Sequence, residues 1–162
     1  APGLYEALDA NTPSGYVLSW DPANLGVKPS KPGVNSPFIL CSDIVVTNSE
    51  YTVVGSQFTL NAADYAPGLT WTFNMIGAVV QGEGTAEARL YNLSANEYVT
   101  NATITTTNVG PTAIQSAALI VGVAAGNLRT IEQIYEVRLK AVIAGEQSAA
   151  TAHFGTVAFR MA

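Results

Sequence analysis

The chain has 162 residues, the size of one domain, with 48% hydrophobic residues and only 12% charged ones, where a quarter is usual. Seven basic residues stand against twelve acidic ones for a net charge of −5, and they are scattered, with only the pairs Lys28/Lys31 and Arg138/Lys140 close together. That balance argues against a phosphate-neutralising surface, and so against sequence-independent nucleic-acid binding. The apolar stretches, Ile114 to Ala125 among them, are too short and too interrupted by Gly to span a bilayer. Cys41 is the only cysteine, which leaves no intrachain disulfide and no cysteine-based metal site. So few charges imply solvent faces built from Thr, Ser, Asn, Gln and Ala. They suit either a plain sandwich with a Thr-rich exterior or a surface covered by neighbouring subunits.

The first ten residues, APGLYEALDA, lack the charged start and apolar core of a secretory signal. Residues 1–40 differ from the rest because Pro2, Pro13, Pro22, Pro29, Pro32 and Pro37 all fall there. That density forbids long helices and central strands, and VKPSKPGVNSP is expected to be extended. The same stretch carries Leu4, Tyr5, Leu8, Tyr16, Leu18, Trp20 and Phe38, too many large apolar groups for a disordered tail. It reads as an ordered arm, 1–40, whose side chains dock on its own domain or on a neighbouring subunit. Leu4, Tyr5, Leu8, Tyr16, Trp20 and Phe38 are its candidate contact residues, since Trp and Tyr dominate contact energetics.

Beyond the arm, residues 41–162 offer strands at regular spacing: Asp43–Thr47, Tyr51–Leu60, Thr70–Val80, Thr85–Leu93, Glu97–Thr107, Thr112–Val123, Thr130–Ala144 and Thr151–Met161. Period-two alternation is the signal. Trp71, Phe73, Met75 and Val79 share one face; Ala86, Ala88 and Leu90 oppose Glu87, Arg89 and Tyr91. Tyr135, Val137, Leu139, Ala141 and Ile143 oppose Glu136, Arg138 and Lys140, and Val157, Phe159 and Met161 oppose Thr156, Ala158 and Arg160. Ile114 to Ala125 is almost unbroken apolar; its β-branched content and Gly122 favour a strand over a short helix. Turn signals separate the strands, including Ala66-Pro67-Gly68, Ser94-Ala95-Asn96, Asn108-Val109-Gly110-Pro111 and Gly126-Asn127. About eight half-buried strands with short turns make an all-β, antiparallel sandwich or barrel.

The segments TWTFNMIGAVV, AEARLYNLS, YEVRLKAVIAG and HFGTVAFRM together resemble single jelly-roll domains of tailed-bacteriophage virion proteins, such as head decoration and fibre proteins. Arg89-Leu90-Tyr91-Asn92 and Tyr135-Glu136-Val137-Arg138-Leu139 carry the likeness, which covers roughly residues 50 to 162. The turn after Asn92 is Leu-Ser-Ala-Asn where that family usually has a Gly. The resemblance implies a jelly-roll β-sandwich and a non-enzymatic capsid decoration (cement) protein on the virion surface. It also implies a homo-oligomer, a trimer favoured, that contacts other virion proteins.

The chemistry-bearing residues agree with an absence of catalysis. His153, the only histidine, has no nucleophile turn to serve, and it alternates with strand residues Val157 and Phe159. Cys41 adjoins Phe38-Ile39-Leu40 and reads as a buried thiol. No calcium loop, phosphate cradle or metal-ligand cluster is spelled out, so no cofactor is expected. Glu87 and Glu136 read as cross-strand partners of Arg138 and Arg89. The sequons at Asn92 and Asn101 read as accidents of an Asn- and Thr-rich chain. The alternatives are a carbohydrate-binding β-sandwich that stacks Trp20 or Tyr16 on a glycan, and a tail-fibre or spike receptor-binding module.

Overall fold

A computed structural model of the chain describes residues 17–21, 26–30, 37–79, 84–143 and 152–161. Its strands are β1 (Val17–Asp21), β2 (Gly26–Ser30), β3 (Pro37–Val46), β4 (Thr52–Leu60), β5 (Trp71–Val79), β6 (Gly84–Asn92), β7 (Glu97–Thr106), β8 (Thr112–Gln115), β9 (Gln133–Ile143) and β10 (Ala152–Met161). β1 and β2 form an antiparallel ribbon with Trp20 opposite Val27 and Pro29 opposite Leu18. A two-stranded ribbon has only edges, so Pro29 removes no hydrogen bond from an interior ladder. β3 begins at Pro37, so the segment read as arm runs directly into the first strand of the sandwich.

The remaining eight strands make two antiparallel sheets, β3-β10-β5-β8 and β4-β9-β6-β7. The pairs nest: β6 with β7, β5 with β8, β4 with β9 and β3 with β10. The contacts β5–β10 and β6–β9 then close each sheet. This is one long hairpin rolled on itself, the wiring of a jelly roll. Chain entry at Pro37 and exit at Met161 lie together, because Pro37 stands opposite Arg160 and Met161 opposite Trp71. The β4–β5, β6–β7 and β8–β9 connections share that end: Ala62 N–H donates to the Arg129 carbonyl at 3.0 Å and Leu119 N–H to the Trp71 carbonyl at 2.8 Å. We call it the arm end.

The alternation that marks the strands also fills the core. Phe73, Met75, Phe154 and Phe159 project from one sheet and Leu90, Tyr135, Val137 and Leu139 from the other, none more than 1% exposed. Each such side chain stabilises by about 1.5–3 kcal/mol relative to exposure. Phe159 meets the rings of Phe58, Trp71 and Phe73 at 5.8, 6.2 and 5.9 Å. Thr112–Val123 does not form one long strand. Strand pairing stops at Gln115, beyond which only Ser116 and Leu119 tie back to Phe73 and Trp71 of β5, and residues 117–132 run as an irregular loop. Its apolar side chains alternate with neither period, and most of them face solvent.

Candidate functional site

The outward face of β4-β9-β6-β7 gathers five charged side chains, Glu87, Arg89, Glu136, Arg138 and Lys140. Register places Glu87 opposite Lys140, Arg89 opposite Arg138 and Tyr91 opposite Glu136. Two arginines face to face repel, and tyrosine rings come between them. Arg89 lies 3.9 Å from the Tyr98 ring centroid, Arg138 lies 3.5 Å from that of Tyr91, and the Lys140 ammonium is 4.4 Å from that of Tyr51. The expected Glu87–Arg138 and Glu136–Arg89 pairs are replaced. Glu87 sits 3.9 Å from Lys140 and accepts from the Tyr51 hydroxyl, while Glu136 binds Arg138 two residues along its own strand.

Glu136 is the residue that alternation misreads, for it is 3% exposed. The cause is a bulge. Val54 pairs Val137 and Phe58 pairs Tyr135, so residues 55–57 of β4 stand opposite Glu136 alone. Gly55 supplies the turn with φ of 71°, and an added Cβ there would meet the Leu40 carbonyl oxygen at 2.8 Å. The bulge brings Gln57 Nε2 to 3.5 Å from Glu136 Oε2, while Arg138 donates Nε and Nη2 to Oε1 at 2.9 and 2.6 Å. A buried carboxylate is tolerable only with such partners. Tyr98 and Glu136 hold the Arg138 guanidinium above its ordinary range against the downward pull of partial burial, so it stays cationic.

These tyrosines are therefore engaged within the protein, which leaves little ring surface for a sugar. Trp71 is 2% exposed in the core. Trp20 lies on β1, and Leu4, Tyr5, Leu8 and Tyr16 lie outside the described residues. Phe38 is half-buried, stacked 6.4 Å from Trp71 and edge-on to Tyr65 at 5.7 Å, so it packs on its own sandwich. Cys41 points inward opposite Val157, and burial pushes its thiol up to about 11. His153 points outward between Val45 and Ala78, on the other side of the sheet from that thiol. Asn92 is buried; its Oδ1 accepts from Ala95 N–H and its Nδ2 donates to Gln133, which fixes the turn and withdraws the sequon. Among the described residues no three His, Cys, Asp or Glu side chains gather to hold a metal ion, and no helix is long and apolar enough to cross a membrane.

The outward face of β3-β10-β5-β8 is different. Ile39, Val45 and Ile76 are 69%, 57% and 45% exposed there. A shallow groove of about 410 Å³ runs beside Ile76, with Asn74, Gln115 and Arg160 at its margins.

At the arm end, the 117–132 loop is pinned from below. Arg129 donates Nη2 to Glu97 Oε1 at 2.7 Å and Nη1 to the Val123 carbonyl. The Arg129 bond, with a second from the Gly126 N–H, holds the Glu97 carboxyl below its ordinary range. Tyr135, whose hydroxyl burial pushes up, accepts from Arg129 N–H at 3.1 Å. Gly126 (φ 77°) permits the last turn, since a Cβ would lie 2.3 Å from Thr100 Oγ1. Sequence reasoning missed this loop. The spaced glycines Gly122 and Gly126 and the Arg that follows were its only signal.

Fold and surface together define an eight-stranded jelly-roll sandwich. Among solved structures, the crystal structure of the infectious bursal disease virus VP2 subviral particle aligns over 90% of this chain with a TM-score of 0.53 and 9% identity. The chain spans 37% of that VP2 chain. Structures of the Gt and Gx strains of the same virus also align over 90%, at 10% identity and TM-scores of 0.42 and 0.37. At such identity the likeness establishes the fold. No family profile and no curated protein sequence matches the chain.

Proposed function

We propose that this chain is a non-enzymatic structural protein of a virus particle, most simply a capsid decoration protein of a tailed bacteriophage that assembles as a homo-oligomer. The observation that carries the reading is the nested β3–β10 pairing, the fold it shares with the VP2 chain of a subviral particle. The exposed apolar surface at the arm end, Ile120, Val121, Val123 and Ile131, favours assembly with other subunits. A trimer is the favoured state, as in the phage proteins that the sequence resembles.

In this reading residues 1–36 reach from Pro37 onto a neighbour or onto the particle, with Leu4, Tyr5, Leu8, Tyr16 and Trp20 as the docking side chains and Phe38 holding the exit to its own sandwich. Val17 stands opposite Ser30, so residues 17–30 fold back as a ribbon, and only the remaining residues of the arm add reach, at about 3.1 Å each where extended. The deciding experiment is co-purification with assembled particles, beside light scattering of the isolated protein. Binding to particles and a defined oligomer are expected; free protein that never sediments with particles overturns the virion reading. Deleting residues 1–36 is expected to leave a β-rich circular dichroism spectrum and to weaken particle binding. Trp20→Ala with affinity-gel retardation separates the carbohydrate-binding alternative, which requires glycan retardation that this substitution abolishes.

A further inference from the structure

We infer that the arm end of the sandwich is the surface on which one copy meets a second copy of this chain. The inference rests on the assembly reading above and names its interface.

The 117–132 loop sets Ile120, Val121, Val123 and Ile131 in solvent at 51%, 40%, 79% and 60% exposure. A loop that served only to join β8 to β9 would turn such groups inward. Here the polar machinery lies underneath: Arg129, Glu97 and Tyr135 hold the backbone, Leu128 is fully buried, and Leu128 N–H donates to the Ile120 carbonyl at 2.8 Å. The apolar tip is thereby fixed before any partner arrives, which reduces the ordering cost of binding.

Beside the tip lies a pocket of about 310 Å³, walled by Ala62, Ala66, Pro67, Leu69 and Trp71 and bounded by Val121 itself. It has room for a few aliphatic side chains. Apolar tip and apolar recess are thus adjacent on one surface, so two copies of the end are complementary in character. Contacts of a tip with a neighbour's recess close into a ring when the rotation permits.

Charge selects the occupant. The chain carries −5, so two copies repel overall and approach most easily where charge is absent. Residues 116–128 contain no charged side chain, and the exposed Asp64 and Glu132 stand at the rim. A charged partner would find no complement in that centre, whereas a second copy brings an equally neutral one. The chain also enters β3 at this end, at Pro37.

The test is sedimentation velocity and light scattering of the full chain over a wide concentration range, with Val123→Asp, Ile131→Asp, Ala66→Glu and Ile76→Asp. Circular dichroism and thermal melting accompany each variant. The expected result is a wild-type oligomer, and association weakened about tenfold or more by a charge placed in its apolar centre. Val123→Asp, Ile131→Asp and Ala66→Glu should all show this with melting unchanged, while Ile76→Asp on the sheet face keeps the wild-type mass. Ala66 lies on a separate loop, so it decides the matter if a 117–132 variant misfolds. A wild-type monomer at every concentration, arm-end variants of unchanged mass, or dissociation by Ile76→Asp alone overturns the inference. Particle co-purification is scored separately: a monomer that binds particles defeats this interface alone, and an oligomer that binds none defeats the virion reading alone.

Discussion

The two sheets carry opposite kinds of outward face. On β4-β9-β6-β7, Arg89, Arg138, Lys140, Glu87 and Glu136 interleave with Tyr51, Tyr91 and Tyr98, and each group finds its partner within the sheet. On β3-β10-β5-β8, Ile39, Val45 and Ile76 stand in solvent. The first face is complete without a neighbour; the second satisfies no one and excludes nothing. A low overall charge therefore describes neither face, because charged side chains cluster on the first and large apolar ones stand exposed on the second.

The comparison predicts unequal costs. Arg138→Ala leaves Glu136 buried with Gln57 alone, and is expected to destabilise by about 3 kcal/mol, at the low end for a broken buried pair because Arg138 is part-exposed. Urea unfolding measures it. The Glu136→Met, Arg138→Met double variant should recover most of the loss, since apolar replacement of both partners removes the stranded charge; equal damage in both would show that the tyrosine stack, not the ion pair, holds the face. Gly55→Ala strains a left-handed residue against the Leu40 carbonyl and should cost about 1–3 kcal/mol, with Gln57 displaced from Glu136.

A smaller effect tests where the charged network reaches the arm end. The Glu97 carboxyl is held below its unfolded range, so its contribution is present above the unfolded value and is lost as pH falls through the folded one. Amide exchange in the 117–132 loop should accelerate across that acidic window, and Glu97→Gln should abolish the pH dependence. Least of all, Ile76→Ser on the exposed apolar face should change stability by no more than about 0.5 kcal/mol. A larger loss would mean that Ile76 makes a stabilising contact within the domain.

Legibility in the sequence followed the range of the interaction. Trp71, Phe73 and Met75, or Tyr135, Val137 and Leu139, announce an inward face because alternation is local to a strand. Glu136 shares that alternation and still lies buried, since the bulge that covers it belongs to β4, some 80 residues earlier in the chain. Residues 117–132 misled for the converse reason: their apolar character predicts burial only when a partner within the domain covers them. The jelly-roll wiring came from resemblance, because period-two strands state which face is buried and not which strand is beside them. The arm contacts Leu4, Tyr5, Leu8 and Tyr16 lie outside the described residues, so their docking stands as a proposal.

The nested pairing also favours an order of events during folding. β6 and β7 meet across a four-residue turn, Leu93–Asn96, which Asn92 already organises. Each outer pair closes around the one before it, and β3–β10 joins residues such as Ile44 and Phe154 from opposite ends of the sandwich sequence. Loop-closure entropy is lowest when the pairs form from the inside outward, because every completed hairpin shortens the effective loop of the next. On that ordering the edge strand at which the arm is attached is secured last, and the point of attachment forms only after the rest of the roll exists.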